Sequence, residues 1–285
     1  MTITELLSQG RETLENKGIE TASLDASVLL AHYLGLSRAG LYASLRDSVD
    51  SNIENTYLRA IERRKEGFPL AYITGYKEFM GLSFKVDPRV LIPRPDTEIL
   101  AEAALEILKT SPRVLKILDL CTGSGCLAVT LSHYFPQREI WATDISPDAL
   151  EVARFNGKFQ TLGKVKFIES NLFQNVPETF DLILTNPPYL LPQETQDCLN
   201  QGWEEPPGAL DGGGEDGLDL IRELIPQAWD HLNPGGWLLL EAASPQFPEL
   251  GKLFRTQGFS EVEVRQDLGS RDRIILGQRP GPESL

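Results

Sequence analysis

The stretch LKILDLCTGSGCLAVTLSHY, residues 115–134, decides the fold of this chain. A short apolar run predicts a buried strand over residues 114–120, and apolar residues at helical spacing follow over residues 125–134. Gly123 and Gly125 stand between the two, where glycines permit a tight turn and let a ligand approach backbone N–H groups. A Gly-x-Gly alone fits a turn without a ligand equally well.

Beyond this unit, the chain alternates strand and helix signals. Further strands are predicted by apolar runs at residues 140–144, 165–169, 180–185 and 237–241. Ser146 and Pro147 predict the start of one helix, and residues 217–231 predict another. This alternation is typical of a doubly wound, mostly parallel α/β sheet. Only a few polar residues separate the last two strands, 261–266 and 273–278, so we expect these to pair as antiparallel neighbours.

The N-terminal part of the chain has a different pattern. Apolar residues recur at helical spacing up to about residue 65, which predicts a small helical bundle. Short aromatic and aliphatic runs around Gly81 predict a β-hairpin. We therefore expect a helical domain over residues 1–74, a β-hairpin linker over 75–95, an α/β domain over 96–279 and a disordered tail over 280–285.

Composition narrows the functional classes. The 285 residues include 27 Lys and Arg against 41 Asp and Glu, a formal net charge of −14. Because that charge repels polyanions, non-specific binding of nucleic acid is not expected. Three cysteines without paired spacing and three histidines predict neither a metal site nor a disulfide framework. With no signal peptide and no run long enough to span a bilayer, a cytoplasmic protein is expected.

Side chains after two further strands are candidates for binding a ligand at the glycine turn. Asp144 ends the second strand, where a carboxylate can accept hydrogen bonds from both hydroxyls of a ribose. Asn171 and Leu172 follow the third strand, and they are positioned to receive an adenine ring. A dinucleotide is disfavoured, because Ala128 occupies the third glycine position of the G-x-G-x-x-G pattern.

The motif Asn186-Pro187-Pro188-Tyr189 follows the apolar strand over residues 180–185. Its place at the carboxyl end of the sheet puts it beside the glycine turn. An Asn side-chain oxygen and a proline-stiffened carbonyl can accept both hydrogens of one NH₂ group, and Tyr189 can stack on the flat group. Alone, the motif fits a proline-rich loop with an aromatic plug. Its order after a glycine turn and an acidic strand end favours methylation of a planar nitrogen.

Together these residues resemble the release-factor-specific protein-glutamine N5-methyltransferases. Residues 24–36, LDASVLLAHYLGL, are similar to the helical domain of that family. Residues 69–98, PLAYITGYKEFMGLSFKVDPRVLIPRPDTE, are similar to its linker almost residue for residue. The linker is the most discriminating feature, because adenine-N6 methyltransferases share NPPY. Residues 204–219 and 266–277 are similar to family segments as well.

The resemblance implies a class I methyltransferase with a Rossmann-like sheet. It implies transfer of a methyl group from S-adenosylmethionine to the glutamine of the Gly-Gly-Gln motif in class I peptide-chain release factors. By position it assigns cofactor contacts to Asp119, Cys121, Thr122, Gly123, Ser124, Gly125, Asp144, Asn171, Leu172 and Asn186. It assigns the target glutamine to Asn186, Pro187, Pro188 and Tyr189, with Asn186, Pro187 and Tyr189 as catalytic residues.

The chain departs from the family pattern at two of these positions. Cys121 stands where the family usually has glycine, and Asn171 replaces a more usual acidic residue. In the linker, Arg94, Asp96 and Thr97 either line the mouth of the cofactor site or belong to a helix cap after a rigid polyproline segment.

Two other functions remain open from the sequence. The same NPPY chemistry serves methyltransferases that act on adenine N6 or another base amine of RNA or DNA, although the acidic net charge disfavours them. A non-catalytic module that docks through its helical domain is the other, and intact glycine and NPPY motifs argue against it. The helical domain is expected to recognise the protein substrate, because one glutamine offers too little surface for specificity.

Overall fold

The computed structural model describes residues 1–112 and 115–281. The chain divides into two compact units. The helical unit comprises Met1–Tyr76 and Cys198–Glu204, and the α/β unit comprises Lys77–Asp197 and Glu205–Leu285. Residue 114, at the start of the predicted first strand, and residues 282–285 of the expected tail lie outside the described part.

Both units are built from regular elements along most of their length. The helices are α1 Ile3–Glu15, α2 Ala22–Leu34, α3 Arg38–Ala43, α4 Ser51–Lys65, α5 Leu70–Thr74, α6 Glu98–Thr110, α7 Cys126–Tyr134, α8 Pro147–Thr161, α9 Pro192–Asn200, α10 Asp219–His231 and α11 Phe247–Gln257. The strands are β1 Tyr76–Phe79, β2 Leu82–Lys85, β3 Lys116–Leu120, β4 Glu139–Asp144, β5 Lys166–Glu169, β6 Phe180–Thr185, β7 Leu232–Glu241, β8 Ser260–Gln266 and β9 Asp272–Gln278.

Helices α1 to α5 form the helical unit around an apolar core. The Thr2 side chain accepts a hydrogen bond from the Glu5 amide in a capping box that starts α1. In the core, the fully buried Tyr57 donates its hydroxyl to the carbonyl of Leu6 at 3.2 Å. Asp25, 3% exposed, pairs with Arg64 at 2.7 Å, which joins α2 to α4. This buried pair satisfies a carboxylate that would otherwise destabilise the core.

The α/β unit contains a seven-stranded sheet of order β5-β4-β3-β6-β7-β9-β8. Strands β5, β4, β3, β6 and β7 are parallel, and β9 runs antiparallel to both of its neighbours. Alternate residues of the strands face opposite sides: Ile117 packs in a cluster with α6 and α7, whereas Leu118 packs in a cluster with α10 and α11. The predicted mostly parallel sheet with one antiparallel strand is confirmed.

The hairpin of β1 and β2 packs its aromatic residues into the α/β unit. Met80 and Gly81 form its turn with φ of 50° and 73°, the left-handed conformation of two-residue hairpin turns. Phe79 and Phe84 are buried in the same cluster as α6 and α7, with ring centroids 6.2 Å apart. The segment predicted as a linker therefore contributes core residues.

Three helices, α5, α9 and α11, were not predicted individually from the sequence. Helix α9 buries only Thr195, so it has no apolar stripe from which to recognise it. Helix α11 buries Phe247, Leu250 and Phe254 at helical spacing, a signal that was present but interrupted by Gly251. In the described part of the chain, no helix has the length and apolar character needed to cross a membrane.

Gly10 in α1 gives a test of packing in the helical unit. A Cβ at this position would overlap the Tyr57 hydroxyl and lie 3.1 Å from Cδ1 of Ile61. We expect Gly10→Ala to lower the free energy of unfolding by roughly 1–3 kcal/mol, because overpacking outweighs the gain in helix propensity. Urea unfolding followed by circular dichroism measures this change.

Gly40 in α3 is the matched control, because a Cβ there meets only ordinary contacts, the nearest to Oγ of Ser37 at 3.4 Å. Gly40→Ala should leave stability unchanged or raise it by up to about 1 kcal/mol. Equal effects of the two substitutions would contradict the packing described for Tyr57.

Candidate active site

A cavity of about 700 Å³ opens at the carboxyl ends of β3, β4, β5 and β6. The strand register explains why, since Leu120 at the end of β3 pairs with both Thr143 of β4 and Thr185 of β6. The loops after these strands therefore begin at one edge, where open α/β sheets bind ligands. The predicted site residues that line the cavity are Cys121, Thr122, Gly123, Ser124, Asp144, Asn171, Leu172, Asn186 and Pro188.

The glycine turn is fixed from beneath by Asp119. This fully buried carboxylate accepts hydrogen bonds from the Thr122 hydroxyl at 2.6 Å and from the Ala128 amide at 3.0 Å. Burial raises the pKa of Asp119 to about 7, although both hydrogen bonds favour the charged form. Asp119 does not line the cavity, so it supports the turn without facing a ligand in the cavity. Gly125 also lies behind the turn, where a Cβ would come within 3.1 Å of Ala153.

Asp144 joins the second strand end to the glycine turn. One carboxylate oxygen accepts from the Gly123 amide at 2.8 Å, and the other accepts from the Ser146 amide at 2.9 Å. Burial raises the pKa of Asp144, and the backbone hydrogen bonds oppose that rise. A carboxylate offers about four lone-pair sites for hydrogen bonds. The side chain can therefore accept further hydrogen bonds from a ligand in the cavity.

The loop after β5 forms the next part of the wall. The Ser170 amide donates to the carbonyl of Asp144 at 2.9 Å, which aligns this loop with the end of β4. Leu172 is 5% exposed and adopts a left-handed φ of 46°. Asn171 lies beside it and is exposed to solvent. The arrangement presents an apolar side chain next to a polar one.

The NPPY segment is divided between the cavity and the protein interior. Asn186 and Pro188 line the cavity, whereas Pro187 is buried and Tyr189 is half-buried. The Asn186 amide nitrogen donates to Oγ1 of Thr97 at 3.2 Å. The Tyr189 hydroxyl donates to Oε1 of Glu241 at 3.3 Å. Both polar ends of the motif are thus held by residues that lie far away in the sequence.

Glu241 is a buried carboxyl at the end of β7, 1% exposed. Burial raises its pKa to about 7, and a hydrogen bond from the Thr97 side chain is the strongest interaction that opposes this rise. Attraction to Arg273 comes next. The second carboxyl oxygen, Oε2, meets no partner with full hydrogen-bond geometry among the described residues.

Backbone contacts hold NPPY against the glycine-rich segment of residues 208–217. The Leu190 amide donates to the carbonyl of Leu210 at 2.8 Å, and the Gly212 amide donates to the carbonyl of Leu190 at 3.0 Å. A Cβ on Gly212 would lie 2.8 Å from Cα of Tyr189. A Cβ on Gly217 would overlap the Tyr189 carbonyl oxygen. Side chains at these two positions are therefore excluded by the close approach of the two segments.

Gln246 completes this clamp. Its amide nitrogen donates to the carbonyls of Tyr189 at 2.9 Å and Asp216 at 2.8 Å. Its side-chain oxygen accepts from the Ala243 amide at 2.9 Å. One buried side chain therefore ties the NPPY backbone to the glycine-rich segment and to the turn after β7.

Segments without regular secondary structure form the side of the cavity that contains Arg94. Glu205, 4% exposed, accepts from the Arg94 guanidinium at 2.6 Å and from the Ile92 amide at 3.0 Å. Arg94 and Thr97 line the cavity. Neighbours of Arg94 and Glu205 in the chain line it as well, among them Leu91, Pro206, Gly208 and Ala209. Asp96 does not line it, and its carboxylate pairs with Arg273 at 3.0 Å.

Sequence reasoning did not assign a role to Glu205, Glu241, Gln246 or the glycine-rich segment. Each of these acts through contacts with residues distant in the sequence, which periodicity and local spacing do not report. A signal was present in the glycines, because several glycines in one short segment indicate close approach of backbones.

Solved structures share the α/β fold. A methyltransferase from Pyrococcus furiosus aligns with a TM-score of 0.53 and 21% identity over 81% of this chain and 100% of its own. The Thermus thermophilus 16S rRNA N2 G1207 methyltransferase aligns with a TM-score of 0.54 and 20% identity, over 72% of this chain and 49% of its own. At these identities the likeness concerns the fold.

Family models and relatives identify the family of the chain as well as its fold. The model described as the PrmC N-terminal domain matches residues 5–75, and the model described as the methyltransferase small domain matches residues 97–215. A release factor glutamine methyltransferase of Moorella thermoacetica is 39% identical over 98% of this chain and 99% of its own length. One of Deinococcus radiodurans is 38% identical over 99% and 100%. The chain therefore belongs to the family of release factor glutamine methyltransferases.

Proposed function

We propose that this protein transfers a methyl group from S-adenosylmethionine to the side-chain amide nitrogen of the glutamine in the Gly-Gly-Gln motif of class I release factors. One observation carries the proposal: Asn186 lines the same cavity as Gly123 and Asp144. A planar NH₂ group held by Asn186 would therefore share a cavity with a ligand bound at the glycine turn. Near-identical length and 38–39% identity to release factor glutamine methyltransferases support the substrate.

The residues around the cavity fit S-adenosylmethionine. The cavity of about 700 Å³ falls within the roughly 300–1,000 Å³ of typical small-molecule sites. An ideal Cβ on Gly123 meets no atom within 4 Å, so the turn leaves open space for a ligand against its backbone.

In this proposal Asp144 binds the ribose hydroxyls, and Asn171 and Leu172 bind the adenine. The turn from Cys121 to Gly125 lies against the remainder of the cofactor. Asp119 and Gly125 act from behind, by fixing the turn that contacts it. S-adenosylmethionine, when bound, supplies an electrophilic methyl group on a sulfonium.

Positioning has to provide much of the catalysis, because an amide nitrogen is a poor nucleophile. The Asn186 side-chain oxygen and the Pro187 carbonyl accept the two N–H groups, which orients the nitrogen and increases its electron density. Tyr189 stacks on the flat amide. The nitrogen becomes strongly acidic once it is alkylated, so it can lose its proton after the transfer.

The helical unit is proposed to recognise the protein substrate, because a single glutamine side chain buries too little surface for specificity. It exposes several large apolar side chains that a partner could cover, among them Leu24, Leu36 and Tyr42 at 43%, 39% and 46% exposure. A substrate in the translation machinery fits a cytoplasmic location.

Transfer of tritiated methyl from S-adenosylmethionine to a purified class I release factor tests the proposed reaction. We expect label on the peptide that contains the Gly-Gly-Gln glutamine, located by mass spectrometry. A release factor with that glutamine replaced by alanine should take up no label. Persistent labelling of the variant, or label that enters RNA or DNA offered in the same assay, would argue for another acceptor.

Asn186→Ala and Asp144→Ala should separate catalysis from cofactor binding. Loss of the Asn186 acceptor should lower kcat roughly 10²- to 10³-fold, with cofactor affinity nearly unchanged. Loss of the Asp144 carboxylate should raise the Kd for S-adenosylmethionine by roughly 10- to 100-fold, as expected for charged hydrogen bonds. Calorimetry and steady-state kinetics measure the two effects.

The exposed Asp148 on α8 offers a control for the loss of a nearby carboxylate, because Asp148 does not line the cavity. Asp148→Ala should leave both quantities within about twofold of the wild type, since surface substitutions change little. A rise in Kd for Asn186→Ala that matched the rise for Asp144→Ala would count against the division of roles.

Substitution of the apolar surface tests the helical unit. Leu36→Ser combined with Tyr42→Ser should weaken binding of the release factor about tenfold or more, because a few buried side chains, often aromatic ones such as Tyr, carry most of the binding energy of a protein interface. Surface plasmon resonance measures the affinity, and calorimetry should give an unchanged Kd for the cofactor. Leu268→Ser is the control, since Leu268 is fully exposed on the α/β unit. Unchanged affinity of the double variant would reject this surface.

A further inference from the structure

The Asn186 side chain can serve the proposed reaction in only one orientation. A primary amide carries an oxygen that accepts hydrogen bonds and a nitrogen that donates them. An NH₂ group of the substrate needs an acceptor, so the oxygen of Asn186 has to face the substrate. If the side chain rotated by half a turn, two donors would face each other.

Thr97 holds the other end of this amide. The Asn186 nitrogen donates to Oγ1 of Thr97 at 3.2 Å. Thr97 is 2% exposed and lines the cavity together with Asn186. A hydroxyl can accept in this way only while its own hydrogen points elsewhere. The orientation of Asn186 therefore depends on where the Thr97 hydroxyl sends its hydrogen.

Glu241 has a carboxyl oxygen that could accept the Thr97 hydrogen. Its Oε2 is buried and has no hydrogen-bond partner among the described residues, while its Oε1 accepts from the Tyr189 hydroxyl at 3.3 Å. The Thr97 side chain is the first of the neighbours whose hydrogen bond favours the ionised form of Glu241. The buried Glu241 oxygen lacks a donor, and the buried Thr97 hydrogen lacks an acceptor, so a hydrogen bond between them would satisfy both. Leaving a buried polar group without a partner is costly.

We propose that Thr97 is a positioning residue that sets the direction of a hydrogen-bond chain from Asn186 through Thr97 to Glu241. Glu241 accepts the hydroxyl hydrogen of Thr97, Thr97 accepts a hydrogen of the Asn186 amide, and the Asn186 oxygen is thereby turned to the substrate. This inference rests on the proposed function. Glu241 also accepts from Tyr189, so one carboxylate orients both ends of the NPPY motif.

Thr97→Val tests the chain, because valine keeps the shape of threonine and removes the hydroxyl. We expect kcat for methylation of the release factor to fall roughly tenfold or more, while KM for the release factor and Kd for S-adenosylmethionine stay within about twofold. Thr97→Ser, which keeps the hydroxyl, should recover most of kcat. A residue with a purely structural role would not give this division between valine and serine.

Thr130→Val is the matched control. Thr130 in α7 is fully buried, its hydroxyl has no partner among the described residues, and it does not line the cavity. The same substitution there should leave kcat unchanged. Equal kcat for Thr97→Val and the wild type, or equal losses in Thr97→Val and Thr97→Ser, would overturn the inference and leave the proposed function intact. A wild-type protein that does not methylate release factors would refute both.

A second variant and a direct observation cover the case in which Thr97→Val does not fold. Glu241→Gln offers one acceptor oxygen where Thr97 and Tyr189 need two, so kcat should fall with KM preserved. A crystal structure of the wild type with S-adenosylhomocysteine and a Gly-Gly-Gln peptide reads the orientation itself. The Asn186 oxygen should lie within hydrogen-bond distance of the glutamine nitrogen, and the Asn186 nitrogen should remain on Thr97. An Asn186 nitrogen that contacts the peptide instead would overturn the inference.

Discussion

The site depends on the parallel alignment of β3 between β4 and β6. Leu120 pairs with Thr143 on one side and with Thr185 on the other, and the Thr185 hydroxyl donates to the carbonyl of Leu120 at 2.7 Å. The glycine turn, Asp144 and Asn186 each come directly after one of these three paired residues. A slip of one residue in either pairing would turn every side chain of the strand to the opposite face, so the apolar cores on the two faces fix the register.

The residues directly after the strands could be predicted from the sequence, because a local pattern of apolar residues shows where a strand ends. Asp144 and Asn186 were predicted in this way, and both line the cavity. Side chains that support the site from a distance were not found. Glu241 lies 144 residues beyond Thr97 in the chain, and its contact depends on how β7 sits beside β6, which no local pattern contains. Asp119 was predicted as a cofactor contact, but it does not line the cavity, and its position behind the turn follows from hydrogen bonds that only the fold reveals.

Two residues of the cavity wall have a strained backbone. Cys121 and Leu172 both line it with left-handed φ of 61° and 46°, a conformation that is unfavourable for residues other than glycine. The resemblance had predicted glycine at position 121, and the left-handed φ explains that preference physically. Burial raises the pKa of the Cys121 thiol, so the side chain remains a neutral group in the wall. Asp119 and Asp144 accept hydrogen bonds from the glycine turn and so hold it in this conformation.

The glycine-rich segment shows why a signature outside the strand ends belongs to the same site. Gly212 and Gly217 leave no space for a side chain against Tyr189, and Leu190 exchanges backbone hydrogen bonds with Leu210 and Gly212. These contacts fix the backbone of Tyr189 and Leu190, directly after the two prolines. The prolines restrict φ within the motif, but they do not fix its direction relative to the cavity. The close backbone contact and Gln246 provide that second restraint, so the NPPY motif and the glycine-rich segment hold each other in place.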